Sequence, residues 1–428
     1  MTRDNQRLKF RALVALWMVC CLAIFLWRGA IPAFEYGKDG LLVYTEARAW
    51  LEGVSPYDAL GLDAVASRAK GDPAWPPTRR GNADLLYPPT TFVVLAPVAV
   101  FDWPVARVVW IGVNIALVLV MAWSLCVLAG LKRDEWGAWL LVGACLVFAP
   151  VLTSIKHGQT AVLVFALAAA GEALRVKGQG RFGGVLLGLS ACVKPQIGLP
   201  LLALEGWRRR WGVLIPGLIT IGVVGAIAVA RLSGLGWVAE LRANVAAFTA
   251  TGAGDSSPLN AIRYQMVNLH PLVVDLLGPN VPVGLIVWGV VGLIGAAYFL
   301  LPRRMQEHPS DLLAMTMVSA MGLMLVYHRS YDAIVLLMGI AWAIRAWRRG
   351  LRIPAIGVAL GCGVFALPFT GLFATLVEKG VIPDSVASTA LWRVMIMGHQ
   401  SWALLLLGLV LVLCRGHDGD VKTDAQGV

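Results

Sequence analysis

Charge is what this chain has least of. Asp, Glu, Lys and Arg make up 14% of its 428 residues, against roughly 25% in soluble domains. That shortage excludes an ordinary soluble globule, because apolar runs of about 20 residues recur along the chain and need a bilayer around them. Cysteine is sparse and badly placed for a framework. Cys20, Cys21, Cys126, Cys145, Cys192, Cys362 and Cys414 all sit in or at the ends of apolar runs. No long polar loop holds one and no spacing suits zinc, so neither a disulfide nor a metal site is expected. No convincing internal repeat is visible, which weighs against a transporter built from two similar halves. The first apolar run, 13–27, lacks a small-residue cleavage site and is expected to remain as a span.

What is there is 58% hydrophobic residues and a net charge of +11. The basic residues form no single patch, which argues against a nucleic-acid partner. They fall in short clusters between apolar segments, as the positive-inside rule describes for cytoplasmic loops. Several of the 17 tryptophans, among them Trp27, Trp207, Trp211 and Trp402, flank the apolar runs, where interfacial anchors sit.

The most informative stretch is the polar insert 35–89. It holds eight of the 25 acidic residues: Glu35, Asp39, Glu46, Glu52, Asp58, Asp63, Asp72 and Asp84. Connections longer than about 12–15 residues are usually functional or disordered, and we read this one as a reaction loop. Within it, VYTEARAWLEG (43–53) predicts a short amphipathic helix that stops at Gly53, with the turn SPYD after it.

Arg3, Arg7, Lys9 and Arg11 place the N-terminus in the cytoplasm, and a span at 12–33 delivers the insert to the outer side. Residues 88–101 are apolar but short, suiting a half-inserted helix before a span at 105–130. Lys132-Arg133 is inside. Spans at 137–152 and 160–175 enclose the outer link TSIKHGQT.

Residues 183–204 lie between two basic clusters, Arg175/Lys177/Arg181 and Arg208-Arg209-Arg210. Either one ordinary span breaks the charge rule here, or a Pro-broken hairpin turns at Lys194-Pro195-Gln196. We read the hairpin; buried charge and broken backbone at depth are tolerated inside protein or beside a wet cavity. A span at 212–230 then leads to a second outer loop, 231–272, which contains GAGDSSPLN. Further spans are expected at 281–301 (ending at Arg303-Arg304, inside), 312–326, 333–344, 353–373 and 399–414, with an outer loop at 374–398.

The fold class is therefore an all-α polytopic membrane protein of about 12 transmembrane segments. It forms a single domain, 1–414, with a cytoplasmic tail, 415–428, expected to be disordered. The outer ends of the spans gather Glu35, Asp39, Asp58, His157, Gln159, Lys194, His328, Arg329 and Asp332. A carboxylate there can take a proton from a hydroxyl, and the cations can hold a phosphate. Each has a plainer reading. Asp58 suits a turn or cap, Lys194 a snorkelling side chain, and Gln159 a bond across helices.

These residues resemble glycosyltransferase family 87, the polyprenol-phosphate-mannose-dependent mannosyltransferases with a GT-C membrane fold. The pieces run in order: KDGLLVYTEARAWLEGVSPYD (38–58), LYPPTTFVVLAPVAVF (86–101), VARVVWIGVN (105–114), HGQTAVLVFALAAAGEAL (157–174), GGVLLGLSACVKPQIGLPLL (183–202) and YHRSYDAIVLL (327–337). Thr160 stands where the family pattern has Asn. The resemblance implies an inverting transferase in the bacterial cytoplasmic membrane, working on the outer face, with both termini inside. Its donor would be a polyprenyl-phosphate sugar, usually mannose, and its acceptor a glycolipid or glycan hydroxyl. No cofactor or metal is implied. By match, Asp39 is the general base. Lys194, His328 and Arg329 meet the donor phosphate, and Tyr44, Asp58, Tyr87, His157, Gln159 and Asp332 line the substrate. The alternatives are a transporter or lipid flippase, and a surface-glycan polymerase or ligase.

Overall fold

The computed structural model describes residues 3–69, 86–232, 234–250, 256, 260, 263–300 and 311–415. Asp72, Asp84, Arg303-Arg304, most of GAGDSSPLN and the tail from 416 lie outside the described residues, as do the side chains of Arg3 and Arg7. The described chain is helical, with one isolated antiparallel bridge between Met266 and Arg329. It divides into two compact units, Met1–Ser124 with Val142–Arg263, and Leu125–Leu141 with Tyr264–Val428.

The first unit opens with α1 (Arg3–Phe25), which runs through a π turn into α2 (Ile31–Tyr36). The described part of the polar insert then proves to be mostly helix: α3 (Lys38–Glu52) and α4 (Ala59–Arg68). α3 begins five residues before the expected Val43, so Asp39 lies in its first turn, where a negative charge suits the helix dipole. It ends as expected at Gly53, which takes φ +73°. There Val54 N–H bonds to Ala49 O and Gly53 N–H to Trp50 O, a Schellman closure. Asp58 caps α4, accepting from Leu60 N and Gly61 N. These helices bury an apolar face of their own. Leu41, Tyr44, Ala47, Trp50, Tyr57 and Leu62 pack with Phe92, Leu95, Trp103 and Trp110 of α5 (Pro89–Ala99) and α6 (Trp103–Ala129).

Next come α7 (Trp136–Val147) and α8 (Ala149–His157), bent by 42°, and α9 (Ala161–Val176). The expected hairpin follows as α10 (Gly180–Val193) and α11 (Pro195–Trp207), broken at Lys194 in extended geometry. The legs of 14 and 13 residues reach about 20 Å each, short of the roughly 30 Å hydrocarbon core of a bilayer. The legs touch near the turn, where a Cβ on Gly198 would collide with Ala191. α9 and α10 also approach by backbone, since a Cβ on Gly171 would lie 2.7 Å from Gly183 O. Such small-residue contacts are how helices pack tightly in membranes. α12 (Trp211–Ala230) and α13 (Gly236–Ala250) complete the unit, the latter within the expected second outer loop.

The second unit carries α14 (His270–Leu277), α15 (Val283–Leu300), α16 (Leu312–Leu325), α17 (Leu337–Arg348), α18 (Arg352–Gly363), α19 (Phe369–Glu378), α20 (Asp384–Ala387) and α21 (His399–Cys414). A buried 3-10 turn, Ser330–Leu336, leads into α17. Among the described residues five helices are long and apolar enough to cross a membrane, or seven when each of two bent pairs counts as one span. The expected count of about 12 included shorter apolar helices such as Gly180–Val193, Leu312–Leu325 and His399–Cys414, whereas Pro89–Ala99 matches the short segment expected only to be half-inserted.

Candidate active site

Two glycines set the geometry of the site in the first unit. α8 ends at Gly158, which takes φ +71°. Its N–H bonds to Ile155 O, and Gln159 N–H bonds to Ser154 O, a second Schellman closure that fixes where Gln159 stands. Gly158 meets Gly40 of α3 backbone to backbone: a Cβ on Gly158 would lie 2.9 Å from Gly40 Cα, and one on Gly40 3.0 Å from Gly158 O. Trp110 Nε1 donates to Gly158 O at 2.9 Å and holds the corner from α6. The approach places the residues beside each glycine together. Gln159 Nε2 donates to Asp39 Oδ2 at 2.7 Å.

The contact continues outward from Asp39. Tyr87 Oη donates to Gln159 Oε1 at 3.2 Å and lies 3.4 Å from Thr160 Oγ1. Tyr57 Oη donates to Tyr87 O at 2.8 Å. Asp39 and His157 are half-buried, Gln159 is buried, and His157 is in electrostatic contact with Asp39.

The segment after Tyr87 ties this cluster to the hairpin. Pro88 is extended and Pro89 opens α5, which suits proline at a helix start. Thr91 Oγ1 then donates to Val193 O at 3.1 Å, and Thr90 Oγ1 to Cys192 O at 2.5 Å. These hydroxyls satisfy the last carbonyls of α10, directly before the buried Lys194. Ser190 Oγ donates to Val164 O. Gln159 and Lys194 therefore lie at the same end of the antiparallel pair α9 and α10.

The other expected residues fall elsewhere. Glu35 is exposed on α2. Asp58 is the α4 cap described above. Tyr44 is buried against Trp103, and its hydroxyl donates to Phe101 O at 2.8 Å. Burial pushes its phenol up to about 12, so at neutral pH it serves as a donor. His328, Arg329 and Asp332 belong to the second unit. His328 Nδ1 lies 3.1 Å from Asp332 Oδ2, with both side chains buried, and His328 O accepts from Val267 N–H. Arg329 donates to Gln265 Oε1 and to Tyr327 Oη.

Sequence reasoning passed over Tyr57, Thr90, Thr91 and Trp110. It also counted Glu46 only as a loop acid, although this residue is fully buried two turns after Asp39 on the same face of α3. A carboxylate in register with buried Val43 and Ala47 was the available signal.

In the first unit a held carboxylate, its amide and a buried lysine thus lie toward one end of the pair α9 and α10. The chain belongs to glycosyltransferase family 87, whose sequence model matches residues 85–328, more than half of its length. It is a membrane glycosyltransferase. The match contains Tyr87, His157, Gln159, Lys194 and His328, whereas Asp39, Tyr44, Asp58, Arg329 and Asp332 lie outside it. No curated protein and no solved structure matches the chain.

Proposed function

We propose that this protein transfers a hexose, mannose in the first instance, from a polyprenyl-phosphate sugar to a hydroxyl of a glycolipid or glycan, with inversion at the anomeric carbon. The observation that carries the reading is Asp39, a carboxylate held by a neutral amide in a chain of this family. The acceptor O–H loses its proton to Asp39 as its oxygen bonds to C1. The bond from C1 to the phosphate oxygen breaks, and the electron pair leaves with the polyprenyl phosphate. Lys194 stabilises that charge. One carboxylate suffices, unlike the pair that most glycosidases need. Base catalysis supplies about 10²–10⁴-fold, and the rest comes from placement and phosphate electrostatics.

The outer face of a bacterial cytoplasmic membrane is where this chemistry would run. In support, Arg175, Lys177, Arg181 and Arg208–Arg210 cluster at the far ends of α9–α11 from Gln159 and Lys194, and basic clusters stay in the cytoplasm.

The test is transfer by purified protein in lipid vesicles. Radiolabelled polyprenyl-phosphate mannose is supplied with a bacterial membrane lipid extract. A labelled glycolipid is expected. No product and no binding, with several polyprenyl-phosphate sugars tried, would overturn the donor assignment.

A further inference from the structure

We propose that Gln159 is a positioning residue that aims the Asp39 carboxylate, and that Tyr87 holds the amide in its working orientation. This rests on the reading of Asp39 as the base. Both residues were expected to line the substrate; their bonds to Asp39 and to each other give them a further role.

The orientation of the amide follows from its neighbours. An ionised carboxylate only accepts hydrogen bonds. At 2.7 Å from Asp39 Oδ2 the contacting atom must therefore be Nε2, because Oε1 there would set two acceptors against each other. Oε1 then faces Tyr87, which donates to it. Tyr87 is itself fixed by the Tyr57 bond to its carbonyl and by Pro88 and Pro89 after it. On the other side, Gln159 cannot swing as a whole, since its backbone closes α8 through Gly158. The chain Tyr57–Tyr87–Gln159–Asp39 thus draws its members from four separate parts of the first unit. It pins Oδ2 and leaves Oδ1 as the oxygen to receive a proton. A base must be held within a fraction of an ångström for full rate, and a displacement of about 1 Å can cost 10²-fold.

Isosteric change separates positioning from substrate contact. Gln159→Glu keeps the shape and the acceptor for Tyr87 but turns a carboxylate oxygen toward Asp39. We expect kcat to fall on the order of 10²-fold with KM for donor and acceptor within about a factor of two. Gln159→Leu removes the donor without adding charge. Its kcat falls about tenfold, again with KM within about a factor of two. Tyr87→Phe keeps the ring and removes only the hydroxyl, so it remains informative should a Gln159 variant misfold. It lowers kcat a few-fold with KM unchanged. A raised KM with kcat intact in Gln159→Glu would make the residue a substrate contact. Wild-type kcat in folded Gln159→Leu protein would reduce it to a structural part. Asp39→Asn is assayed alongside. If that enzyme turns over normally, the base assignment has failed, and with it the premise of this inference.

Discussion

The two ends of α9 hold acidic side chains in different ways. At the ends of α9 and α11, Arg175 Nε lies 2.7 Å from Glu172 and 3.5 Å from Glu205, and Arg210 lies 2.9 Å from Glu205. Two carboxylates face two guanidinium groups, and the cluster ties the base of the hairpin to α9 and to the start of α12. At the other end of α9, Asp39 is held by an amide. Arginine cancels a carboxylate's charge and serves as a structural clasp. An amide fixes its direction and leaves the charge in place for a proton. The hairpin carries the same division along its length, with arginines at its base and Lys194 at its turn.

Asp39→Asn breaks this contrast hardest. It keeps the shape and removes the base, so transfer falls about 10²–10⁴-fold while donor binding persists. This is read as product formed against donor retained on the protein. Glu205→Gln breaks the clasp instead. Losing one partner of a buried ion pair costs about 3–5 kcal/mol, seen as a lower midpoint in thermal unfolding in detergent. Protein that remains folded is expected to keep its turnover. If Glu205→Gln abolished turnover in folded protein, the division into clasp and site would not hold.

Gly158→Ala attacks the corner between them. Left-handed φ costs a non-glycine residue about 1–2 kcal/mol, and the added Cβ would also press on Gly40 Cα at 2.9 Å. The expected result is a lower unfolding midpoint together with reduced transfer, because Gln159 and Asp39 are pushed apart. Asp58→Ala is the mildest change, since losing the α4 cap costs about 1 kcal/mol. Asp58→Asn, which still caps, should restore the unfolding midpoint.

Much of this was legible in the chain. The hairpin followed from charge and proline, as the 22 residues 183–204, flanked by two basic clusters and broken at Lys194-Pro195, leave no room for two full spans. Gly53 as a stop and Asp58 as a cap are local chemistry, and local chemistry reads well from sequence. The start of α3 did not, because Lys38-Asp39-Gly40 resembles a turn. Gly40 is there for another reason: Gly158, 118 positions on, comes against it. The bonds from Gln159 to Asp39 and Tyr87 span 120 and 72 positions, and no local pattern announces them. The insert looked like a loop because its eight acids, with glycines and prolines among them, break up its apolar residues. Its buried face shows only once α5 and α6 are packed against it.

The most direct test of the account is a single comparison of wild type and Asp39→Asn in the same vesicles, with labelled donor and acceptor both present. The account predicts equal donor binding and transfer lost by at least about 10²-fold in the variant. Equal transfer by the two proteins would contradict it and move the base to another carboxylate.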